Sequence, residues 1–279
     1  MTGRLSVVAT PIGCLEDISA RALRILGEAD AILAEDTRHT RTLCARYDLR
    51  TPLRSFHEHT DERKVSAIVQ ELAGGAHFAL VSDAGTPVVS DPGVYLVSRA
   101  SAAGVVVEAI PGPSAVLAAL SVAGIPIRRF TFEGFLPRSG RDRQEALRRV
   151  GTAQEASVLF ESPHRIRKTL DDLGEVLGVK RKVALCRELT KMHEQTIRGT
   201  VDEVRAALAE SIKGEITLVI EAAPKQSADP DVDVEARVAA WKEEGLSTKE
   251  MTQRLQREAG WRRNDAYRAI LTALGDDST

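Results

Sequence analysis

Residues 78–93, FALVSDAGTPVVSDPG, carry the pattern that decides the expected fold. Four apolar residues, the composition of a buried β-strand, run directly into a turn rich in Ser, Asp, Gly and Pro. Two more turns of this kind, at residues 10–13 and 111–115, also follow apolar runs. Ligands bind at the carboxyl ends of strands in open parallel sheets, so these turns predict a ligand site at one sheet edge. The alternative is that each is an ordinary tight turn.

Strand and helix patterns alternate on both sides of this stretch. The expected strands are residues 5–9, 31–34, 78–82 and 105–110, and the expected helices are residues 20–29, 40–47 and 94–103. Such alternation predicts βαβ units and a mostly parallel sheet. The strands are apolar on both faces, which favours helices on both sides of the sheet. We therefore expect an N-terminal α/β domain at residues 1–112.

A second α/β domain is expected at residues 113–222. Its strands are predicted at residues 131–133, 157–161, 183–187, 196–199 and 216–221, after a helix at 114–123 that Ser114 caps and Gly124 ends. The close spacing of the last strands predicts a mixed sheet with antiparallel pairs.

The C-terminal part has a different character. Residues 223–233 carry two prolines and three aspartates without apolar periodicity, which is typical of a linker. Three amphipathic helices follow, at 234–244, 248–259 and 264–274, with a capping box at Ser247 and Glu250. Residues 234–275 are therefore predicted to form a small helical, helix-turn-helix-like appendage.

Composition narrows the class of protein. The chain has 279 residues, 43% hydrophobic and 28% charged, values typical of soluble globular proteins and not of disordered, collagen-like or coiled-coil chains. A net charge of −2 gives no general signal for nucleic-acid binding. Three widely separated cysteines favour a reducing cytoplasm. The longest apolar stretch, residues 115–125, is about half of the ~20 residues that cross a bilayer, so no membrane association is expected.

Several common nucleotide motifs are missing. No G-x-G and no GxxxxGK[ST] occurs in the sequence, which argues against dinucleotide enzymes and P-loop NTPases. The turn at residues 82–87 instead suits a polar, adenosine-sized ligand held by main-chain groups, because Gly85 permits a close approach. Asp83 could accept hydrogen bonds from that ligand or close its own turn.

Two polar clusters allow both structural and functional interpretations. Asp36 or Thr37 could cap a helix, while Arg38 could position a substrate. His57 and His59 alternate along a predicted strand and could bind a metal, but no third ligand lies nearby in sequence. Surface or substrate-contact histidines are the simpler interpretation, and no metal is predicted.

Two further polar segments follow predicted strands. Residues 161–165, ESPHR, contain Ser and His without a G-x-S-x-G elbow, so a catalytic triad is not supported, and Pro163 is expected at the first position of a helix. Residues 187–194, RELTKMHE, form either a solvated connection or part of a cleft.

Positive charge is concentrated in two regions. Residues 128–168 hold ten Lys or Arg against five Asp or Glu, and residues 249–268 hold six against three, with Trp261 among them. Arginines beside an aromatic ring can contact phosphates or an unstacked base, although surface arginines around a core tryptophan explain the second region almost as well. The RNA-binding candidates are Arg38, Arg138, Arg141, Arg165, Arg262 and Arg263.

The ordered motifs together carry a family resemblance. They are VATPIGCLEDIS (8–19), EDTR (35–38), SFHEH (55–59), SDAGTPVVSDPG (82–93), PGPSA (111–115), FEGFLP (132–137), ESPHR (161–165) and ELTKMHE (188–194). In this order they resemble the ribosomal RNA small subunit methyltransferase I family of the tetrapyrrole methylase superfamily. The resemblance spans about residues 5–222, and the tail is similar to the family's helical appendage.

This resemblance implies two α/β domains of the tetrapyrrole methylase type and S-adenosyl-L-methionine-dependent 2′-O-methylation of a cytidine ribose in the decoding region of 16S rRNA. The enzyme would be a cytoplasmic homodimer acting on rRNA within the small ribosomal subunit. The cofactor contacts that the resemblance implies are Pro11, Ile12, Asp83, Ala84, Gly85, Thr86, Ser114, Ala115, Leu189 and Ala222.

The chemistry suggests two catalytic candidates. A ribose hydroxyl is a very weak acid, so a base or a cationic neighbour should assist its deprotonation. Glu188 and Lys191 are the residues that we expect to do this. Methylation of a small tetrapyrrole and a non-catalytic RNA-binding assembly role remain alternatives. An aromatic content of only 4%, three methionines and the basic region at 128–168 argue against a deep apolar tetrapyrrole cleft.

Overall fold

The first 110 residues alternate strand and helix and form one parallel sheet. In the computed structural model, which describes residues 3–58, 60–178, 180–224, 232–259, 261 and 263–275, this sheet has the order β3-β2-β4-β1-β5, and every pairing is parallel. Its strands are β1 (Arg4–Val8), β2 (Ala31–Ala34), β3 (Leu53–Ser55), β4 (His77–Val81) and β5 (Val106–Ile110). The helices are α1 (Ala20–Glu28), α2 (Thr37–Arg46), α3 (Glu62–Ala73) and α4 (Val94–Ala102). The expected parallel sheet is confirmed.

Strand β2 shows why these strands are apolar throughout. All four of its residues are buried. Ile32 packs into a core with α1 and α2, whereas the next residue, Leu33, packs into a core with α3 and α4. Side chains of a strand alternate between the two faces, so both faces of the sheet are covered by helices.

The second sheet is mixed, as expected. Its order is β6-β7-β10-β8-β9; β6 and β7 are parallel, and the other pairs are antiparallel. The strands are β6 (Phe130–Phe135), β7 (Ala156–Glu161), β8 (Lys182–Arg187), β9 (Gln195–Thr200) and β10 (Ile216–Ile220). The helices are α5 (Ala115–Val122), α6 (Gly140–Thr152), α7 (Ile166–Leu177) and α8 (Val201–Ala206).

Helix α7 begins later than its sequence suggests. Pro163, expected at the first helical position, lies instead in a turn that the Arg165 N–H closes by donating to the carbonyl of Ser162 at 3.1 Å. The helix starts at Ile166, which is fully buried. Burial of this side chain, rather than the preference of proline, sets the helix start.

Both sheets belong to one compact unit, residues 1–222. Ile12, in the turn after β1, packs with α5, β8 and β10 in a shared hydrophobic cluster. The boundary expected between residues 112 and 113 remains a prediction. We call the part around the first sheet lobe 1 and the part around the second sheet lobe 2.

The second unit comprises residues 223–279 and contains three helices, as expected. They are α9 (Val234–Glu243), α10 (Thr248–Ala259) and α11 (Arg263–Leu274), packed around Trp241, Leu255 and Ile270. The capping box is confirmed, because a Glu250 carboxylate oxygen accepts from the Ser247 N–H at 2.9 Å and the Ser247 hydroxyl accepts from the Glu250 N–H at 3.4 Å. Residues 225–231 of the expected linker lie outside the described residues.

No helix in the described part of the chain has the length and apolarity needed to cross a membrane.

Candidate active site

A cavity of about 300 Å³ lies between the two lobes, at the carboxyl edge of the first sheet. Its volume is at the lower end of the range for small-molecule sites. Lobe 1 contributes the turns after β1 and β4 together with α2, and lobe 2 contributes Lys191 and Glu215. Four of the expected cofactor contacts, Pro11, Ile12, Asp83 and Ala84, line its wall.

Three lobe 1 turns are tied to one another at this edge. The backbones of Thr10 and Gly85 exchange two hydrogen bonds, of 2.8 and 3.0 Å. Gly85 has a φ of +77°, and a Cβ there would lie 3.3 Å from Ile12 Cγ2, so the position favours glycine. The Thr86 hydroxyl donates to the carbonyl of Pro113 at 3.2 Å. The predicted turns therefore form one connected surface.

Asp83 links two neighbouring loops. Its Oδ1 accepts from the Asp36 N–H at 2.9 Å, and Oδ2 lies 3.9 Å from Nδ1 of His39. Burial raises the pKa of the nearby Glu35 carboxyl, and the charges of Asp83 and Asp91 raise it further. Burial also raises the pKa of Asp91. Negative charge is thus concentrated at this edge.

Asp36 is the N-cap of α2, as one interpretation of the sequence proposed. Its Oδ1 accepts from the Arg38 N–H at 2.8 Å, and the Arg38 guanidinium binds the same carboxylate at 2.5–3.0 Å. The side-chain hydrogen bond from Arg38 is the main reason that the pKa of Asp36 lies well below its usual value. The Arg38 side chain is 83% exposed, so capping does not exclude a role in substrate positioning.

The lobes touch where the turn after β1 meets the turn after β8. Glu188 and Thr190 have φ values of +51° and +64°, which are strained for residues with a Cβ. The Cys14 N–H donates to the Thr190 hydroxyl at 3.0 Å. A Cβ on Gly13 would lie 2.5 Å from Lys191 Cγ and 2.7 Å from Thr190 Oγ1. Only glycine fits this contact.

Two carboxylates hold the Lys191 ammonium at the cavity. Its Nζ donates to Glu188 Oε1 at 2.9 Å and to Glu215 Oε2 at 2.8 Å. Burial lowers the pKa of Lys191, but the two carboxylates outweigh burial and the pKa lies above its usual value. For Glu188, burial is outweighed by the hydrogen bonds from Lys191 and the Glu215 N–H, and the pKa is lowered. Lys191 is therefore a cation and Glu188 its anionic partner at neutral pH.

Glu215 was not identified from the sequence. It precedes β10, and only the antiparallel pairing of β10 with β8 brings it beside Glu188. Gly214 supports the approach, since it has a φ of +88° and lies against the Glu188 side chain. Apart from its charge, nothing in the sequence marks this residue.

Three of the other expected cofactor contacts lie in the cluster around Ile12 or at the start of α5. Leu189 is buried in the cluster that contains Ile12. Ser114 caps α5 by accepting from the Leu117 N–H at 3.4 Å, and Ala115 begins that helix.

Ala222 lies apart from Leu189, another of the expected contacts. It follows β10, whose last residue, Ile220, pairs with Val183 near the start of β8. Leu189 follows the end of β8. Because β10 runs antiparallel to β8, Ala222 and Leu189 lie at opposite ends of the sheet. The structure does not bring these two residues to one site.

The expected RNA-binding arginines have different environments. Arg138 and Arg141 are exposed around the start of α6, and Arg263 is exposed at the start of α11. Arg165 is engaged locally, because its guanidinium donates to the Leu136 carbonyl at 2.6 Å and pairs with Glu161 at 3.3 Å. Arg262 lies outside the described residues.

The possible histidine metal site is not tested in full. His59 lies outside the described residues. Within the part of the chain that the structure describes, no group of three His, Cys, Asp or Glu side chains is arranged to hold a metal ion.

Comparison with known proteins identifies the family of this chain. The family model for tetrapyrrole (corrin/porphyrin) methylases matches residues 4–205. Ribosomal RNA small subunit methyltransferase I of Halalkalibacterium halodurans is 42% identical over 275 residues, covering 95% of this chain and 93% of that protein. The chain belongs to this methyltransferase family. The family's protein from Escherichia coli O157:H7 is 38% identical and covers 98% of this chain and 96% of its own length.

Solved structures with lower sequence identity have a fold similar to that of this chain. Uroporphyrin-III C-methyltransferase from Thermus thermophilus, complexed with S-adenosyl homocysteine, has a TM-score of 0.56 at 18% identity and covers 78% of this chain and 97% of its own. A diphthine synthase has a TM-score of 0.60 at 16% identity, with 78% and 90% coverage. At these identities the likeness shows a shared fold.

Proposed function

We propose that this member of the family transfers a methyl group from S-adenosyl-L-methionine to the 2′-oxygen of a cytidine ribose in the decoding region of 16S rRNA. The observation that carries the proposal is the Lys191 ammonium, which two carboxylates fix at the wall of a cavity formed by both lobes. The 38–45% identity to named small-subunit rRNA methyltransferases supports the substrate class. We further propose that the enzyme acts as a homodimer on the small ribosomal subunit in the cytoplasm.

The cavity residues fit the proposed cofactor. Pro11, Ile12 and Leu43 offer an apolar wall for a flat base, while Thr10 and Asp83 offer polar groups for a ribose. A cationic ligand would relieve the repulsion among the carboxylates of Glu35, Asp83 and Asp91. S-adenosylmethionine, when bound, supplies a methyl group activated by a positively charged sulfur.

The residues that would hold the cofactor come from both lobes. They are Pro11, Ile12, Asp83, Ala84, Gly85, Thr86, Ser114, Ala115 and Leu189. The direct contact of Gly13 with the turn after β8 supports a single site shared by the lobes.

Lys191 is the residue that we propose to assist the chemistry. A fixed ammonium stabilises negative charge as it develops on the ribose oxygen, and stabilisation by preorganised charge is often the largest catalytic effect. Glu188 positions this ammonium. Its lowered pKa makes it a weaker base, so a cationic role for Lys191 is favoured over general base catalysis by Glu188.

RNA contact is proposed for the exposed arginines. Arg38, Arg138 and Arg141 lie on loops or helix starts that follow β2 and β6 at carboxyl sheet edges, and Arg263 lies in the second unit. Arg262 belongs to the same proposal from sequence alone. Arginines on phosphates set the register of an RNA and bind it in a salt-dependent manner.

Single-turnover methylation of purified small subunits tests the role of Lys191. We expect Lys191→Met to slow transfer by about 10²–10³-fold, as for the loss of one charge-stabilising donor. Calorimetry should show S-adenosylmethionine binding within about threefold of wild type. Lys182→Met is the matched control, because Lys182 is exposed at the opposite end of β8. An unchanged rate in Lys191→Met would contradict the proposed role.

A further inference from the structure

Met192 is an apolar side chain in solvent beside the cavity. It is 93% exposed, more than any other large hydrophobic residue in the described part of the chain. It directly follows Lys191, whose side chain lines the cavity, and successive Cα atoms are 3.8 Å apart. Met192 therefore follows a cavity-lining residue directly and leaves its apolar side chain in solvent.

The turn that carries Met192 is fixed by hydrogen bonds. The Lys191 N–H donates to the Glu188 carbonyl at 3.0 Å, and the Glu194 N–H donates to the Lys191 carbonyl at 3.0 Å, which gives two consecutive turns. The Glu194 carboxylate accepts from the Thr190 N–H at 2.7 Å. We call residues 191–194 the methionine turn.

The exposure of Met192 is therefore imposed by the backbone. The methionine turn comes directly after a segment in which Glu188 and Thr190 have strained positive φ values. The Cys14 N–H of lobe 1 donates to the Thr190 hydroxyl and fixes this segment. Strain held at the edge of a cleft is typical of functional segments, and an isolated apolar side chain on such a segment is positioned for contact. Methionine suits this contact, because its thioether is polarisable and adapts to flat surfaces.

The surroundings of the methionine turn are polar and carry both charges. His193 is exposed in the turn, and the carboxylates of Glu188, Glu194 and Glu215 lie in or beside it. In the proposed reaction the group that faces the Lys191 ammonium is the ribose of a nucleotide. The base of that nucleotide offers a flat face that an exposed apolar side chain can contact.

A methyl acceptor on the ribose also requires an accessible nucleotide. Enzymes that act on a base draw it out of its stack, and apolar side chains often occupy the gap or support the extruded base. We infer that Met192 packs against the unstacked base of the nucleotide whose ribose faces Lys191, so that the methionine turn selects and holds the target. This inference rests on the proposed function.

The first test is a KM and kcat comparison on small subunits. For Met192→Ala we expect the KM for the subunit to rise about tenfold, since base stacking of this kind typically changes affinity by about 5- to 150-fold. Met192→Leu should recover most of the loss. The melting temperature and the affinity for S-adenosylmethionine should stay at wild-type values, because the side chain is exposed.

Val106→Ala is the matched control. Val106 is also an exposed aliphatic residue, 51% accessible, but it begins β5 at the edge of the first sheet opposite the cavity. It should leave every parameter unchanged. If wild-type protein methylates the RNA and Met192→Ala keeps the wild-type KM, the inference is wrong. If wild-type protein methylates no RNA, the proposed function itself fails.

A photo-crosslink identifies the partner of Met192. With benzoylphenylalanine at position 192, irradiation of the complex with the small subunit should attach the protein to 16S rRNA within a few nucleotides of the methylated cytidine. A crosslink to a ribosomal protein, or to a second copy of this chain, would overturn the assignment to a base.

Discussion

Gly13→Ala perturbs the contact between the lobes most directly. The added Cβ would lie 2.5 Å from Lys191 Cγ, 2.7 Å from Thr190 Oγ1 and 3.1 Å from the Leu189 carbonyl oxygen. The Lys191 side chain cannot simply swing away without leaving its two carboxylates, and the Leu189 oxygen belongs to the backbone. The turn after β8 must therefore move away from lobe 1.

The size of the effect follows from the geometry. Forcing one methyl group into a packed contact costs about 1–3 kcal/mol. For a unit of this size each kcal/mol shifts the melting temperature by about 2–4 °C, so we expect a decrease of roughly 2–12 °C. The affinity for S-adenosylmethionine should fall as well, because the displaced turn carries Leu189, one of the proposed cofactor contacts.

Scanning calorimetry and titration calorimetry measure both quantities. Gly174→Ala is the control, since this glycine lies within α7 and its Cβ would approach only Val201 Cγ1, at 3.8 Å. The same chemical change should stabilise the protein there by about 0.5–1 kcal/mol. A Gly13→Ala protein with wild-type melting temperature and cofactor affinity would refute the described contact between the lobes.

Two further predictions concern buried charge. Arg143→Ala removes a guanidinium that is 5% exposed and pairs with Asp172 at 2.6 Å. The free energy of unfolding in urea should fall by about 3–5 kcal/mol. The control, Arg149→Ala, removes an exposed guanidinium and should lower it by less than about 1 kcal/mol. Burial raises the pKa of Glu35 most, and the charge of Asp83 raises it further. The folded state therefore binds this proton more tightly than the unfolded chain does. As a result, the free energy of unfolding falls as pH rises above about 4.3. Glu35→Gln should therefore raise the melting temperature at pH 7–8 and not at pH 4; equal shifts at both pH values would contradict this reasoning.

The main elements of the fold could be predicted because their apolar runs are bounded by turn residues. The four strands expected in lobe 1 are all present within one or two residues of their expected ends. Strand β3 is different, since it has only three residues, two of them exposed, and gives no apolar run. Its pairing with β2, rather than its composition, makes it a strand.

The candidate site could be predicted only in part. The turns at Pro11 and Asp83 follow parallel strands, so the carboxyl-edge rule was enough to place them. Ala222 was expected from the family resemblance alone, whereas Glu215 was missed because a short apolar run does not encode strand direction. Because β10 runs antiparallel to β8, the start of β10, and not its end, lies on the side of Leu189.

Mapping of transferred label on the RNA tests the proposed reaction most directly. Small subunits lacking the mark, incubated with this protein and methyl-labelled S-adenosylmethionine, should acquire one methyl group on the 2′-oxygen of a decoding-region cytidine. Mass spectrometry after nuclease digestion would locate it, and the modified linkage should resist alkaline cleavage. Label on a base carbon or nitrogen, label in a tetrapyrrole, or no transfer by a folded protein that binds the cofactor would contradict the proposal.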